Sequence, residues 1–324
     1  MNILVTGGAG YIGSVVAERL SAFGHNAIIY DNLSEGHRDA VVRESTLIVA
    51  ELHDAATLIG AMRKHKIEAV IHLAANALVG ESMSNPSKYF RNNVAAGITL
   101  LDAMVECDVK RIVFSSSCAV YGEPAASPIT EDLPQRPANP YGESKLAFEK
   151  ILRWYEAAHG ISYASLRYFN AAGATADFGE DHSPETHIIP IVLGCALGLI
   201  DEVEVFGSEY PTPDGTCIRD YIHVMDIADA HLLALSVLGQ SSCTYNLGTG
   251  KGYSVREVIE AARRITNHPI PMRVTPRRSG DPAVLIASSE HIKRDLNWSP
   301  KHSELEQIIE SAWIWHRAHP HGYS

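Results

Sequence analysis

Six short β-rich apolar runs alternate with helical patterns in the first half of the chain, and this alternation limits the fold more than any other feature. Strands that are separated by helices pair in parallel, and the helices then cover both faces of the sheet. The sequence therefore predicts an α/β fold with a doubly wound parallel sheet. The predicted strands are Ile3–Val5, Ala27–Tyr30, Leu47–Val49, Ala69–Leu73, Ile112–Phe114 and Tyr163–Leu166.

The second half of the chain has a different pattern. Beyond residue 170, proline and glycine punctuate shorter elements and the strand rhythm breaks, which predicts a smaller C-terminal α/β lobe. Tyr245–Leu247 can return a strand to the main sheet. The apolar stretch Ile188–Ile200 is too short to span a bilayer, so we expect a buried helix there. The expected domains are residues 1–170, with a returning strand near residues 220–250, and residues 171–324.

Charge and composition argue against several function classes. With 27 basic and 38 acidic side chains, the net charge is −11 at pH 7. Binding to nucleic acid or to an anionic membrane is therefore disfavoured. Five widely spaced cysteines without a CxxC pair suit a reducing compartment. A strand pattern that begins at residue 2 leaves no room for a signal peptide, so we expect a cytoplasmic protein.

Metal binding is not predicted. The sixteen histidines include no HExxH pattern, and no cysteine pair has zinc-ligand spacing. His316, His319 and His321 lie in a short polar tail, which we interpret as solvated. We therefore expect no metal site.

A glycine-rich turn follows the first strand directly. Gly7, Gly10 and Gly13 form a GxxGxxG pattern, and a helix that ends near Gly24 comes next. Glycine is needed where the turn is tight, where the backbone approaches a pyrophosphate and where the helix packs near the strand. The N–H groups of the helix N-terminus then bind the phosphates. This pattern predicts a Rossmann-like dinucleotide-binding domain.

Asp31 identifies the dinucleotide. It ends the second predicted strand, where a carboxylate accepts hydrogen bonds from the adenosine ribose hydroxyls and repels a 2′-phosphate. Arg38 lies a few residues on, and we interpret it as a surface charge. The sequence therefore predicts NAD as the cofactor and disfavours NADP.

A second group of residues is suited to moving a proton on an alcohol. Tyr141 and Lys145 stand four residues apart after Asn139 and Pro140, which are typical of a helix start, so they share one helical face. An ammonium beside a phenol is expected to lower the pKa of the tyrosine. Ser115–Ser117 end a predicted parallel strand, at the edge where such sheets bind ligands. Beside a nicotinamide, these groups predict hydride transfer from a carbinol carbon.

Through these and other motifs, the chain resembles the extended short-chain dehydrogenase/reductases and, within them, the 4-epimerases of UDP-sugars. The similarity covers nearly the whole chain. The motifs are TGGAGYIGS at 6–14, DNLSEGH at 31–37, VGES at 79–82, SSSCAVYGEP at 115–124, NPYGESK at 139–145, RYFNAAGA at 167–174, DGTCIRDYIHVMDIADAH at 214–231, YNLGTG at 245–250 and RRSGD at 277–281.

The resemblance implies an isomerase of galactose metabolism that interconverts UDP-galactose and UDP-glucose. NAD would be reduced and reoxidised within one turnover, through a 4-keto sugar. Tyr141 would be the acid/base at the sugar 4-hydroxyl, Ser117 would assist it, and Lys145 would tune Tyr141 and fix the nicotinamide ribose. The resemblance also implies a homodimer formed by two helices per subunit, including the helix that carries Tyr141.

Carried over position by position, the resemblance implies two sets of binding residues. Arg219 and Arg278 match a diphosphate clamp, and Leu285 matches a position where a bulky side chain excludes 2-N-acetyl sugars. The expected NAD contacts are Gly7, Gly10, Tyr11, Ile12, Gly13, Asp31, Asn32, Glu51, Leu52, Leu73, Ala74, Ala75, Asn93, Ser115, Tyr141, Lys145 and Tyr168. The expected UDP-sugar contacts are Ser117, Asn170, His187, Ile188, Val205, Phe206, Arg219, Tyr221, Arg278, Asp281 and Leu285.

Three positions depart from the better-known pattern of the family. Ala77 stands where a lysine that reaches the cofactor is often found. Glu51 replaces an aspartate near the adenine, and His187 replaces an asparagine near the nucleotide in some members. These departures concern individual contacts and leave the proton-handling residues unchanged.

Three alternative functions are weighed against this reading. A nucleotide-sugar 4,6-dehydratase needs an Asp-Glu pair after the serine, whereas Cys118 and Ala119 follow Ser117 here. A 4-epimerase of UDP-glucuronate, a UDP-pentose or a UDP-N-acetylhexosamine remains open on the core motifs. A non-catalytic NAD-sensing regulator could dispense with Ser117, Tyr141 and Lys145, so their joint presence argues against it.

Overall fold

The structure, a computed structural model, describes residues 1–278 and 280–323. The strands are β1 Asn2–Thr6, β2 Asn26–Asp31, β3 Thr46–Val49, β4 Ala69–His72, β5 Arg111–Ser117, β6 Ser162–Tyr168, β7 Asn170–Ala172, β8 Val203–Phe206, β9 Ile218–Arg219, β10 Tyr221–His223, β11 Cys243–Leu247, β12 Tyr253–Ser254, β13 Met272–Thr275 and β14 Val284–Leu285. The α-helices are α1 Tyr11–Ala22, α2 Ala55–His65, α3 Val79–Ser84, α4 Pro86–Tyr89, α5 Ala96–Glu106, α6 Pro140–His159, α7 Ile188–Ala196, α8 Val224–Val237, α9 Val255–Thr266, α10 Glu290–Leu296 and α11 Leu305–Ala318.

The main sheet has seven strands in the order β11-β6-β5-β4-β1-β2-β3. Parallel pairing joins β3 to β2, β2 to β1, β1 to β4 and β4 to β5. The chain order reverses between β1 and β4, which is the topological switch point where doubly wound sheets bind ligands. The doubly wound parallel sheet and the six strands predicted from the sequence are confirmed, and Tyr245–Leu247 does return a strand to the sheet.

The chain divides into two compact units, each made of separate segments. The first comprises Met1–Gly122, Gln135–Arg167 and Ala228–Tyr245, and the second comprises Glu123–Pro134, Tyr168–Ile227 and Asn246–Ser324.

In the first unit, one face of the sheet packs against α2, α5 and α6. Leu4, Val70 and Ile112 of the strands meet Leu100 of α5 and Phe148 of α6 in one apolar cluster. Neighbouring strand residues that point to the opposite face are buried as well, as Ile3 and Val5 are. A sheet covered on both faces gives near-continuous apolar strands, which is why these runs are visible in the sequence.

The second unit contains three small sheets and its own core. β10 pairs with β7, β13 pairs with β8, and β9 lies between β12 and β14. Helices α7, α9 and α11 pack with β8 around an apolar cluster that includes Val192, Val205, Ile259 and Ile308. Helix α9 begins with a capping box between Ser254 and Glu257, which satisfies two backbone N–H groups at the helix start.

Two predictions for the second half have different outcomes. The buried helix predicted in Ile188–Ile200 is confirmed as α7. The prediction of a solvated histidine tail is wrong for two of its residues, because His316 lies on α11 and the His319 ring stacks on the Trp315 ring at 4.7 Å. Within the described residues, no helix has both the length and the apolar character needed to cross a bilayer.

Close packing between α5 and α6 generates a prediction about two glycines. A Cβ atom on the buried Gly97 of α5 would lie 2.4 Å from the Phe148 ring, whereas one on the exposed Gly60 of α2 would meet no atom within 4 Å. Gly97→Ala should lower the free energy of unfolding by about 1–3 kcal/mol through overpacking. Gly60→Ala should raise it by about 0.5–1 kcal/mol, because alanine favours the helix. Urea denaturation of both variants measures this, and equal effects would contradict it.

Candidate active site

The glycine turn between β1 and α1 forms a tight backbone cradle. Gly7 has φ +73°, and a Cβ there would lie 2.5 Å from the Ala74 nitrogen. A Cβ on Gly13 would lie 2.1 Å from the Gly7 carbonyl oxygen. Gly10 is the N-cap of α1, so no side chain binds the first N–H groups of the helix. A Cβ atom added to Gly10 would meet only the Gly7 carbonyl oxygen, at 3.4 Å. The N–H groups at the start of α1 have no side-chain acceptor, and there is space in front of Gly10. This arrangement fits the pyrophosphate of a dinucleotide.

Asp31 ends β2 beside this turn. Its carboxylate accepts hydrogen bonds from the Ala9 N–H at 3.0 Å and from the Leu33 N–H at 2.8 Å. Two ionised oxygens offer about four acceptor positions, so capacity remains for ribose hydroxyls. Asn32 donates to Glu51 at 3.1 Å, which places these two predicted contacts together. These positions fit an adenosine ribose.

The segment after β4 lies against the same turn. The Leu73 and Ala74 N–H groups both donate to the Thr6 carbonyl at 3.0 Å. Asn93 lies in a π-helical turn, Phe90–Ala95. Its side-chain amide accepts a hydrogen bond from the Asn76 N–H and donates one to the Asn76 carbonyl. It also donates to the Ser144 hydroxyl of α6 at 3.0 Å. Asn93 therefore fixes this loop to α6, a role that the sequence does not indicate.

Ser117, Tyr141 and Lys145 come together in the first unit. Asn139 caps α6 by accepting from the Gly142 N–H at 2.8 Å, so the predicted helix start is confirmed. The Ser117 hydroxyl, at the end of β5, is close enough to the Tyr141 phenol to favour its ionised form and so to act on its pKa. Lys145 Nζ donates to the Ser115 carbonyl at 2.8 Å and lies 5.8 Å from the centre of the Tyr141 ring.

The expected lowering of the tyrosine pKa is wrong for the protein as described. Burial raises the pKa of Tyr141 to about 12, although the hydrogen bond from Ser117 acts in the opposite direction. Burial also lowers the pKa of Lys145 to about 7, against the charge of Glu149. The sequence argument considered the ammonium and omitted the loss of water around both groups.

A buried ion pair lies behind these residues. Glu149, one turn beyond Lys145 on α6, accepts from Arg167 of β6 at 2.9 and 2.6 Å and from Ser116 of β5 at 2.6 Å. Arg167 also donates to the Tyr121 hydroxyl at 2.7 Å. Both charged side chains are 2% exposed. This network connects α6 to the two strands beneath it, and sequence reasoning missed it.

In the second unit, the predicted nucleotide-binding residues form a linked group. The Arg219 guanidinium is paired with the Asp281 carboxylate. Leu285 of β14 lies beside Arg219 of β9 in parallel register. The Arg278 guanidinium lies 3.7 Å from the centre of the Phe206 ring. A guanidinium beside an aromatic ring, as at Arg278 and Phe206, suits a phosphate and a base, and a second guanidinium, that of Arg219, suits another phosphate.

His187 has a different environment from the one expected. It caps α7, and its Nδ1 atom lies 2.9 Å from Glu180 and 3.0 Å from Glu185. Burial would lower the pKa of His187, but these two carboxylates outweigh it and hold the pKa well above its usual value. His182 lies in the same group. The structure thus places His187 in a cluster of charged side chains.

The remaining predicted contacts differ in accessibility. Leu52 and Val205 are packed in the two apolar cores, so only their backbone groups are suited to binding a ligand. Tyr11, Tyr168 and Tyr221 are also buried, whereas Ile12, Ala75, Asn170 and Ile188 are half-buried.

Comparison with known proteins gives matches over the full chain. The model of the NAD dependent epimerase/dehydratase family matches residues 3–248. A UDP-glucose 4-epimerase from Halalkalibacterium halodurans is 55% identical, over 100% of this chain and 98% of its own. A crystal structure of a UDP-glucose 4-epimerase is 48% identical with a TM-score of 0.98, covering 100% of both chains. The enzyme from Bifidobacterium longum, in complex with NAD+ and UDP, is 37% identical with a TM-score of 0.95 over 100% of both chains.

The buried ion pair yields a prediction about stability. Arg167→Met removes the partner of a fully buried Glu149 carboxylate and should cost about 3–5 kcal/mol of unfolding free energy. Arg264→Met is the matched control, because Arg264 pairs with Glu306 at 2.9 Å but its side chain is 62% exposed. The control should cost less than about 1 kcal/mol. Urea denaturation compares the two, and similar losses would show that the buried pair contributes no more than a surface pair.

Proposed function

The chain belongs to the NAD dependent epimerase/dehydratase family, and on this basis we propose that it is a UDP-glucose 4-epimerase, which interconverts UDP-galactose and UDP-glucose. The observation that carries this proposal is that Ser117 and a buried Lys145 lie beside Tyr141: Lys145 Nζ is 5.8 Å from the centre of the Tyr141 ring, and the Ser117 hydroxyl acts on the Tyr141 phenol. These are three groups that act on one alcohol. Ser117 ends β5 and Tyr141 lies in the first turn of α6, both in the unit that also holds the glycine turn.

Proton transfer at the sugar 4-hydroxyl is assigned to Tyr141. Its phenolate form accepts the proton when C4 is oxidised, and the phenol so formed returns that proton when the 4-keto sugar is reduced on its other face. Ser117 holds the same oxygen by a hydrogen bond. Lys145, anchored on the Ser115 carbonyl, supplies positive charge near the phenol when it is protonated. Bound NAD supplies the hydride acceptor and donor, so the reaction has no net redox change.

Binding of NAD is assigned to the first unit. The glycine turn provides the pyrophosphate site, and Asp31 provides acceptors for the adenosine ribose. A carboxylate at this place repels a 2′-phosphate, which favours NAD over NADP. Because residue 77 is alanine, the contact that a lysine makes to the cofactor in some family members is missing here. Asn93 fixes the neighbouring loop through a hydrogen bond to Asn76.

Binding of the nucleotide sugar is assigned to the second unit. Arg219 and Arg278 bind the diphosphate, Phe206 contacts the uracil, and Asp281, which orients Arg219, contacts the ribose. The sugar must turn over between the two hydride transfers while the nucleotide stays fixed. Strong contacts to the charged diphosphate and few contacts to the hexose serve this requirement.

We also propose a cytoplasmic homodimer that uses α5 and α6. Trp154 of α6 is 74% exposed, and Met83 and Phe90, in the segment before α5, are exposed as well. Where such side chains form one contiguous patch, the patch is typical of surfaces that bind another protein. All five cysteines are free thiols, which suits a reducing compartment.

The proposed mechanism predicts the effect of removing one hydroxyl. Tyr141→Phe should keep its fold and NAD content but lose at least about a hundredfold in turnover, since general acid/base groups contribute about 10²–10⁴. Tyr155→Phe, on the same helix, loses only a hydrogen bond to Asp102 and should keep its turnover. The assay separates UDP-galactose from UDP-glucose by anion-exchange chromatography. Full activity in Tyr141→Phe would refute the mechanism.

A second prediction concerns the sugars that the enzyme accepts. Leu285 is half-buried beside Arg219, so we expect UDP-galactose to be strongly preferred over UDP-N-acetylgalactosamine. Leu285→Ser should narrow the ratio of kcat/KM values by about tenfold or more, because that ratio reports differential transition-state binding. Val284→Ser is the control, because alternate strand residues point to opposite faces. An unchanged ratio in Leu285→Ser would remove this residue as the determinant of sugar size.

A further inference from the structure

Four side chains that bind metals in other proteins converge in the segment before α7. They are Glu180, His182, Glu185 and His187, and one ligand atom of each lies within 4.8 Å of the others. The Nδ1 atom of His182 lies 3.3 Å from Glu180 and 3.6 Å from Glu185. The corresponding distances from His187 are 2.9 and 3.0 Å. Each imidazole therefore faces both carboxylates.

The four imidazole–carboxylate separations are close to those between ligands of one metal ion, with Glu185 facing His182 through Oε2 and His187 through Oε1, and one atom from each of the four residues lies within 4.8 Å of the others. Zinc binds histidine nitrogen at about 2.0–2.1 Å and carboxylate oxygen at about 2.0–2.2 Å, which places neighbouring ligands of a tetrahedron about 3.3–3.6 Å apart. The four observed distances need shifts of a few tenths of an ångström to reach these values. Two imidazoles exclude calcium and magnesium as preferred ions, because those ions take oxygen ligands. We propose that Glu180, His182, Glu185 and His187 bind a zinc ion.

The surroundings hold the proposed ligands in place. The Thr186 and His187 N–H groups donate to Glu185 at 2.6 and 2.7 Å, which orients its carboxylate. Before the cluster, the Gly179 N–H donates to the Tyr323 hydroxyl at 3.0 Å. After it, α7 begins directly at Ile188. The segment is therefore fixed at both ends, and oriented ligands favour tight metal binding.

Charge and access also favour a cation. Glu180 is buried, with 6% of its side chain exposed, whereas 44% of the His187 side chain is exposed and provides a path for an ion. Two carboxylates with two neutral imidazoles leave two negative charges, which a divalent ion neutralises. The zinc ion would join the loop to the start of α7, next to the half-buried Ile188.

Zinc content of the full-length protein tests this proposal. The chain is treated with a chelator, equilibrated with zinc chloride, desalted and analysed by plasma mass spectrometry. We expect about one zinc ion per chain in the wild type and a loss of at least about tenfold in His187→Asn and Glu185→Gln. His291→Gln is the matched control, because it removes a histidine that pairs with Glu131 at 3.3 Å in the same unit, and it should keep its zinc.

The expected coordination has an independent readout. Cobalt in place of zinc should give the visible absorption of a tetrahedral site with nitrogen and oxygen ligands, and only in chains that retain all four residues. Circular dichroism shows which variants are folded, and the wild-type measurement stands even if a variant is not. A wild type without bound zinc would overturn the proposal and leave a hydrogen-bonded ionic cluster. Equal zinc in the wild type and in the folded variants would overturn it also. Neither result bears on the proposed epimerase activity, because no turnover is measured.

Discussion

Helix α6 places a line of polar side chains against the main sheet, with Tyr141 half-buried and Lys145 and Glu149 buried, and the rest of the candidate active site depends on this line. Tyr141, Lys145 and Glu149 follow one another at four-residue spacing, so they share one face of the helix. An unpaired charge in such a place costs several kcal/mol. Each group therefore has a partner on the strands below: Ser117 for the phenol, the Ser115 carbonyl for the ammonium, and Arg167 for the carboxylate.

The same burial sets the proton affinities of the free protein. It raises the pKa of Tyr141 to about 12 and lowers the pKa of Lys145 to about 7, because both charged forms lose water. A phenol with this pKa stays protonated at neutral pH. Its use as a base therefore requires the charges of bound ligands in addition to Lys145. Within the free protein, Ser117 is the group whose hydrogen bond already acts in that direction.

Sequence reasoning located the elements and the polar residues but not their three-dimensional partners. The β-rich runs and the glycine turn are local signals, so the strands and the helix after the turn were predictable. The spacing of Lys145 and Glu149 indicates a shared helical face, yet nothing in the spacing shows that Arg167 of β6 lies opposite. Leu52 and Val205 are binding positions that the family resemblance implies, but their burial in apolar cores depends on tertiary packing.

The cluster before α7 shows the same limit in an irregular segment. Glu180, His182, Glu185 and His187 are close in sequence, but a loop has no period from which a shared face can be inferred. Their convergence depends on the backbone course between Gly179, held by Tyr323, and the start of α7. The segment contains no HExxH or CxxC pattern, because such patterns describe ligands on helices and in tight turns.

The two compact units carry different parts of the proposed reaction. The residues assigned to proton transfer and most of those assigned to NAD lie in the first unit, and the diphosphate clamp lies in the second. Epimerisation needs a sugar that can turn and a nucleotide that cannot. Charge-assisted contacts of the kind proposed for Arg219 and Arg278 are strong and directional, whereas the hydroxyl groups proposed to act at C4, those of Ser117 and Tyr141, make weaker neutral hydrogen bonds. In this proposal the strong contacts bind the diphosphate, which does not react. The hexose is held less firmly, so C4 can present both of its faces to the same phenol.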